Sequence, residues 1–281
     1  MYCIYTDKDV PSNKGNFDHV IPMSLGGRDE FVVWSDRHVN SALGSEVDGK
    51  LGQDPLLRIA LRNAGVKGHS GKEPTSVWRN SQINGRPAQV TWGKKKVTAW
   101  DAIDRRELAE KEFVGKEISA KLHIDLHVTT RFIAKVALGA GYFIYGDAIR
   151  SALDCEALRE LALLPFQAAR KSSRISNSEI MICDRFHPDS RPGQPGYLNR
   201  VAAENTPRSI VISVPHDDAV SFHVGLVGMY IGSIIIPATT ESLPKFGEHD
   251  LGHVLILAPG PVERRSYRSF MLDLYNKITD R

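Results

Sequence analysis

Four β-favouring runs between residues 209 and 258 constrain the fold of this chain more than any other sequence feature. They cover 209–214, 220–227, 230–236 and 253–258. The short link Gly228-Met229 between the middle two runs is typical of an antiparallel hairpin. Other segments show the apolar spacing of helices, at about 101–118, 127–139, 147–169 and 262–278. Strands grouped apart from helices predict an α+β fold whose C-terminal part contains an antiparallel sheet.

The N-terminal residues predict a smaller unit with the order strand, turn, strand, helix. Two β-favouring runs, 17–21 and 31–34, are separated by Pro22 and the turn Leu25-Gly26-Gly27. Ser35 or Asp36 then caps a predicted helix whose apolar positions recur every four residues, at Val39, Leu43 and Val47. A second helix is predicted to start at Asp54-Pro55.

Composition excludes several classes of protein. The chain has 281 residues, of which 42% are hydrophobic and 25% charged, and this balance excludes wholesale disorder. Its three cysteines are odd in number and far apart, which favours a reducing compartment over a disulfide framework. The first residues show no signal-peptide pattern, so we expect a cytoplasmic protein. We divide the chain into a module over 1–75, a basic linker and helix over 76–118, and an α+β domain over 119–281.

Positive charge is concentrated in one segment, although the whole chain carries only +3. Between Lys50 and Lys96 there are ten basic and two acidic residues, a net charge of +8. The segment also contains Trp78, Trp92 and several glycines, a composition that suits a surface following a phosphate backbone. The alternative is an ordinary solvated surface. The residues predicted to bind nucleic acid are Lys50, Arg58, Arg62, Lys67, Lys72, Lys94, Lys95 and Lys96.

The apolar stretch 126–146 raises the question of a membrane span. His127, Arg131 and Lys135 lie four residues apart within it and form one polar stripe of a helix. Such a stripe is typical of an amphipathic helix and not of a lipid-facing span. We therefore expect the stripe to face solvent, and we expect no membrane partner.

Three short motifs follow one another in the N-terminal unit. They are Asp18-His19-Val20-Ile21-Pro22, Leu25-Gly26-Gly27 and Asn40-x-x-Leu43-Gly44-x-x-Val47-Asp48. In this order they resemble the HNH, or ββα-metal, nucleases over roughly residues 3–72. The subgroup most similar to this chain has a His-Ile-Ile-Pro, Leu-Gly-Gly and Asn-x-x-Leu-Gly-x-x-Ile-Asp pattern. The resemblance implies an N-terminal ββα-metal nuclease module that hydrolyses phosphodiester bonds, with DNA favoured over RNA.

The resemblance also implies roles for individual residues. His19 would act as the general base that takes a proton from the attacking water, a task that suits a neutral imidazole. Asp18 and Asn40 would supply oxygen ligands to one divalent ion, Mg²⁺ or Mn²⁺. One difficulty is geometric, because neighbouring residues of a strand point to opposite faces. Asp18 and His19 share a site only if their strand is irregular or ends there.

The chain departs from the family pattern at two places. Relatives often hold a structural zinc with two Cys-x-x-Cys pairs, but here Cys3 is the one cysteine left, with Thr6, Asp36 and Val39 at the other positions. We therefore expect no structural zinc. The middle asparagine of the family name is also missing, and Asp29 or Glu30 could accept the imidazole N–H instead. Asp48 could support the site, although a structural contact between helix and loop is favoured.

Other functions remain open at this point. The chain could be a ligand-gated defence effector nuclease whose C-terminal domain senses a small molecule. It could also be a catalytically silent DNA-binding module that has kept the fold. Nucleases that cut both strands commonly need two active sites, so a homodimer is a hypothesis.

Overall fold

The computed structural model describes residues 1–68, 71–93, 96–164, 180–188, 196–244, 247, 250, 252–258 and 260–280. These residues form an α+β fold, as the sequence predicts. The strands are β1 Tyr2–Cys3, β2 Lys8–Asp9, β3 Gly15–His19, β4 Val32–Asp36, β5 Ser76–Ile83, β6 Arg86–Trp92, β7 Val97–Asp101, β8 Arg106–Leu108, β9 Ile118–Ala120, β10 Met181–Asp184, β11 Ser209–Pro215, β12 Ala219–Leu226, β13 Met229–Pro237, β14 His253–Leu257 and β15 Glu263–Ser266. The helices are α1 Arg37–Leu43, α2 Gly49–Leu51, α3 Pro55–Asn63, α4 Glu110–Phe113, α5 Leu126–Tyr145, α6 Ala148–Ala152, α7 Cys155–Leu163, α8 Tyr197–Glu204 and α9 Tyr267–Thr279. A π-helical segment, Gly44–Asp48, joins α1 to α2.

The C-terminal sheet contains the four strands expected from the sequence. Its order is β10-β13-β12-β11-β14-β15, and every neighbouring pair is antiparallel. Side chains alternate along β11, so that Val211 packs with α5 while Ile210 and Ile212 pack with α8 and α9. The prediction of a helix from residue 262 is wrong for its first turn, because Glu263–Ser266 pair with β14 before α9 begins.

Residues 76–120 form a separate five-stranded antiparallel sheet, the middle sheet, in the order β8-β7-β6-β5-β9. The prediction of a helix over 101–118 is therefore wrong. The prediction of a basic linker and helix over 76–118 is wrong for the same reason. Asp101 explains part of the difference, because it accepts hydrogen bonds from Ile103 N and Asp104 N and forms an ion pair with Arg86. These contacts turn the chain back so that β8 pairs with β7. One short helix, α4, packs Phe113 into the small core of this sheet.

The N-terminal unit has a strand pair followed directly by a helix. β3 and β4 pair antiparallel, and Asp36 begins α1 by accepting hydrogen bonds from His38 N at 2.8 Å and Val39 N at 3.3 Å. Asp54 caps α3 in the same way, with Leu56 N and Leu57 N both at 2.9 Å from its Oδ1. That this unit is a nuclease module stays a prediction.

Helix α5 joins the N-terminal unit to the C-terminal sheet in one hydrophobic core. This core includes Ile21 and Leu43 of the first part as well as Val224 and Leu255 of the last. The close approach depends on Gly139, where an added Cβ would lie 2.8 Å from Val20 Cγ2. The parts 1–75 and 119–281 therefore share a core. In the described part of the chain, no helix has the length and apolar character needed to span a membrane.

The expected solvent-facing stripe on α5 is only partly present. His127 is exposed, but Arg131 and Lys135 are buried. Arg131 Nε donates to Ala162 O at 3.1 Å, and Lys135 reaches carboxylates of the N-terminal unit. The prediction is wrong for these two residues, because Lys135 has buried carboxylate partners and Arg131 packs against the chain at Ala162, and the helix pattern alone reveals neither contact.

The turn Leu25-Gly26-Gly27 docks onto the C-terminal sheet at a place that needs glycine. Gly26 has φ +86°, and an added Cβ would lie 2.7 Å from Ser209 Oγ and 2.8 Å from Val227 Cγ1. We expect Gly26→Ala to lower the free energy of unfolding by about 1–3 kcal/mol, measured by urea denaturation. Gly44→Ala is the control, because Gly44 is helical with nothing within 4 Å of its Cβ position. Equal stability of the two variants would show that the turn does not depend on this contact.

Candidate active site

His19 is the last residue of β3 and lies at the surface. Its Nε2 is 3.1 Å from Asp29 Oδ1, and the side chains of His19 and Asp29 are 34% and 79% exposed. Of the two carboxylates considered from the sequence, Asp29 thus contacts the imidazole, while Glu30 is exposed beside it. In the tautomer that donates from Nε2 to Asp29, the lone pair of the ring lies on Nδ1. His19 then has an oriented ring and a nitrogen that can accept a proton.

Asn40 lies against the same strand because α1 follows β4 directly. Its Nδ2 donates to Asn16 Oδ1 at 3.1 Å and to Phe17 O at 3.3 Å. Phe17 and His19 alternate with Asp18 along β3, so they point to one face of the strand. Phe17 is exposed and packs edge-on against Trp34, which leaves this face open to solvent. The helix therefore brings Asn40 to the strand that carries His19.

Asp18 lies on the other face of β3 and is 4% exposed. The strand stays regular to its end, since Asp18 pairs with Val33 and His19 with Val32. Tyr5 donates its O–H to Asp18 Oδ2 at 2.9 Å, and Lys135 Nζ lies 3.4 Å from Oδ1 and 3.3 Å from Oδ2. The structure therefore does not bring the Asp18 carboxylate and the His19 imidazole to one open site.

Lys135 is the centre of a buried charge cluster that we define as Lys135, Asp18 and Asp48. Its side chain is 0% exposed, and its Nζ donates to Asp48 Oδ2 at 2.6 Å. The same Nζ also donates to the backbone oxygen of His19 at 3.1 Å, which fixes the end of β3. Lys135 thus links α5 to both carboxylates and to the strand that carries the candidate base.

The protonation of the cluster follows from burial and from the neighbouring charges. Burial lowers the pKa of Lys135, but the charges of Asp48 and Asp18 outweigh it, so its pKa is raised and the amine stays protonated. Burial raises the pKa of Asp48 to about 6, against the opposing effect of Lys135. Burial and the charge of Asp18 raise the pKa of Tyr5, so its hydroxyl remains a donor.

Sequence reasoning missed the role of Lys135, although one signal was present. A lysine in an otherwise apolar stretch has to face water or meet a buried partner. Asp48 was a second signal, because the sequence favoured a structural contact for this carboxylate and such a contact needs a partner. The cluster shows that this contact is an ion pair with α5.

The predicted metal ligands do not fit a divalent ion as they stand. Both oxygens of Asp18 are engaged by Lys135 and Tyr5, while Asn40 uses its Nδ2 and keeps its amide oxygen available. Among the residues that the structure describes, no three His, Cys, Asp or Glu side chains form a group suited to a metal ion. Near the position considered for zinc, Cys3 Sγ is buried and accepts a hydrogen bond from Asp36 N at 3.4 Å.

The predicted nucleic-acid-binding residues have different surroundings. Arg62 donates to Gly93 O at 3.2 Å and so fastens α3 to the middle sheet. Lys50 pairs with Glu46, and Lys96 lies 3.8 Å from Glu107. Arg58 is half-buried, whereas Lys67 and Lys72 are exposed, and Lys94 and Lys95 lie outside the described residues. Part of the positive charge therefore serves internal contacts.

Comparisons with protein-family models, with curated proteins and with solved structures give no match to this chain. The resemblance to the HNH nucleases therefore depends on the sequence motifs alone.

Proposed function

We propose that the chain is an HNH-type endonuclease that hydrolyses phosphodiester bonds, in DNA more readily than in RNA. One observation carries this proposal: a half-exposed His19, paired with Asp29, ends a strand against which the following helix places Asn40. A histidine that is oriented by a carboxylate and has a partly exposed side chain is suited to take a proton from water.

In the proposed reaction His19 Nδ1 accepts the proton of the attacking water while Asp29 holds the ring and stabilises the imidazolium that forms. The basic segment between Lys50 and Lys96, which includes the exposed Lys67 and Lys72, would attract the phosphate backbone. Lys135 acts behind the site by holding the backbone oxygen of His19. It is a positioning residue, since it is buried and does not reach substrate.

We propose that cleavage needs Mg²⁺ or Mn²⁺. Asn40 supports the proposal with an available oxygen, whereas Asp18 would first have to leave Lys135. We also propose a homodimer, one active site for each DNA strand, and a reducing location such as the cytoplasm. Cys3, Cys155 and Cys183, which are all buried free thiols, support a reducing location.

The metal requirement is tested with purified protein on supercoiled plasmid DNA and on a structured RNA, each with Mg²⁺, Mn²⁺ or EDTA. We expect nicked or linear DNA with either metal, loss of cleavage in EDTA, and recovery after excess Mg²⁺. Cleavage that is undiminished in EDTA would show that the reaction does not need a metal ion. Faster cleavage of the RNA would reverse the substrate preference.

The second candidate function is a nucleic-acid-binding protein without catalysis. The observation that favours it is the ion pair between Lys135 and Asp18, which neutralises the carboxylate expected to bind metal. Binding of the plasmid without cleavage under every metal condition would support this candidate over the first.

A further inference from the structure

A crevice of about 220 Å³ lies between the docked Leu25-Gly26-Gly27 turn and the C-terminal sheet. Three cationic side chains line it, Arg28, Lys67 and Arg208, and they come from three distant segments of the chain. No carboxylate is among the described residues that line it. The crevice is therefore a concentration of positive charge built by the tertiary fold.

Within the part of the chain that the structure describes, no carboxylate forms an ion pair with the cations of the crevice. Lys67 and Arg208 are exposed and form no ion pair within the described ranges. Arg28 donates from Nε to Leu257 O at 3.3 Å, which anchors the guanidinium while its two terminal nitrogens keep their hydrogens for other acceptors. Three like charges gathered in one crevice repel one another, and a bound anion would relieve that repulsion.

A second charged crevice, on the middle sheet, provides a contrast. It is also lined by cations, but Arg86 pairs with Asp101 and Asp104, and Arg106 pairs with Glu112 at 2.7 Å. Both of its arginines are thus paired within the protein. Among the described residues, the cations of the crevice at Arg28 have no such carboxylate partners, which points to an external anion.

The shape of the crevice fits a phosphate group better than a bare small anion. Gly26, Gly27 and Gly65 line it without side chains and leave room for a bulky oxyanion. Val227 and Leu257 add apolar surface beside the cations, suited to the organic part of a phosphate ester. Arginine binds phosphate oxygens through two parallel N–H groups, whereas lysine supplies a point charge.

We propose that the crevice formed by Arg28, Lys67 and Arg208 binds a phosphate group. The phosphate belongs either to the backbone of a nucleic acid or to a free phosphorylated small molecule. Arg28 directly precedes Asp29, which contacts His19, so the bound phosphate lies beside the candidate active site along the chain. Binding of a nucleic-acid backbone rests on the proposed function, whereas binding of a free phosphorylated molecule does not.

The test is a binding measurement that does not depend on cleavage. Calorimetric titrations in a His19→Ala background use three probes: inorganic phosphate, adenosine 5′-monophosphate and a short DNA duplex. Arg208→Gln and Lys67→Gln are each compared with Lys277→Gln, which removes one positive charge from an exposed position on α9. We expect each crevice variant to weaken binding about tenfold and the control to leave it unchanged.

The three probes identify the source of the phosphate. Saturable binding of phosphate or the mononucleotide, weakened by the crevice variants, supports a free ligand. If the crevice variants lose affinity for the duplex only, the result supports backbone binding. In that case the slope of log affinity against log salt concentration should also be smaller in magnitude by about one in each crevice variant. Crevice variants that match Lys277→Gln for all three probes would overturn the proposal, whether or not the wild-type protein cleaves DNA.

Discussion

His19→Ala should lower the rate of plasmid cleavage by a factor of about 100 to 10,000, the usual contribution of a positioned general base. The variant removes the nitrogen proposed to accept the proton of the attacking water. Asp29 stays exposed and the strand pairing of β3 does not involve the imidazole, so folding and DNA binding should be retained. The measurement is single-turnover cleavage of a plasmid with Mg²⁺.

His127→Ala is the matched control for this substitution. His127 is also a surface histidine, but it lies at the start of α5 and contacts no residue of the candidate site. We expect the His127→Ala variant to cleave the plasmid at the wild-type rate. Cleavage by His19→Ala at the same rate as His127→Ala would contradict the role of His19 and would favour another base.

Lys135→Met should lower the free energy of unfolding at pH 7.5 by about 3–5 kcal/mol, because it leaves two buried carboxylates without their cation. The side chain of Lys135 is fully buried and has two carboxylate partners, Asp18 and Asp48, with nitrogen–oxygen distances of 3.3 and 2.6 Å. Methionine keeps most of the volume, so packing changes little. Urea denaturation followed by circular dichroism measures the loss.

The loss of stability in Lys135→Met should be larger at high pH than at low pH. In the variant Asp48 lacks the ammonium that opposes the effect of burial, so its pKa in the folded state rises further above that of the unfolded chain. A carboxyl of this kind stabilises the fold at low pH, and its contribution is lost as pH rises through the folded pKa. Burial already raises the pKa of Asp48 from 3.8 to about 6 with Lys135 in place. The difference between variant and wild type should therefore be largest above pH 6 and shrink towards pH 4.

A compensated variant separates charge from packing in this experiment. Combining Lys135→Met with Asp18→Asn and Asp48→Asn removes all three charges and should restore much of the lost stability. If the triple variant is as unstable as Lys135→Met and neither shows the pH dependence, the cluster contributes through packing and not through its charges.

Local patterns predicted a large part of the fold. The strands β11 to β14 follow from their β-favouring residues, and the starts of α1 and α3 follow from Asp36 and Asp54, because a capping carboxylate bonds backbone groups two and three residues away. The middle sheet was missed, since a segment rich in charge has no clear period and its strands are defined by their pairing with one another.

The candidate site was only partly predictable, because some of its contacts join residues that are far apart in the chain. Alternation along β3 already indicated that Asp18 and His19 would point to opposite faces, and Asp29 was one of two expected partners of the imidazole. The burial of Lys135 was not predictable in this way. Its carboxylate partners, Asp48 and Asp18, lie 87 and 117 residues earlier in the chain, and a pattern on one helix contains no information about them.

The core shared through α5 also determines when the N-terminal unit can fold during synthesis. Residues such as Ile21 and Leu43 leave the ribosome long before α5 and the C-terminal strands that bury them. Until then the early segment lacks its packing partners and the cation for Asp18. The proposed nuclease site would therefore assemble only after α5 and the strands behind it have been translated, and a polypeptide terminated before α5 would be released without an ordered site.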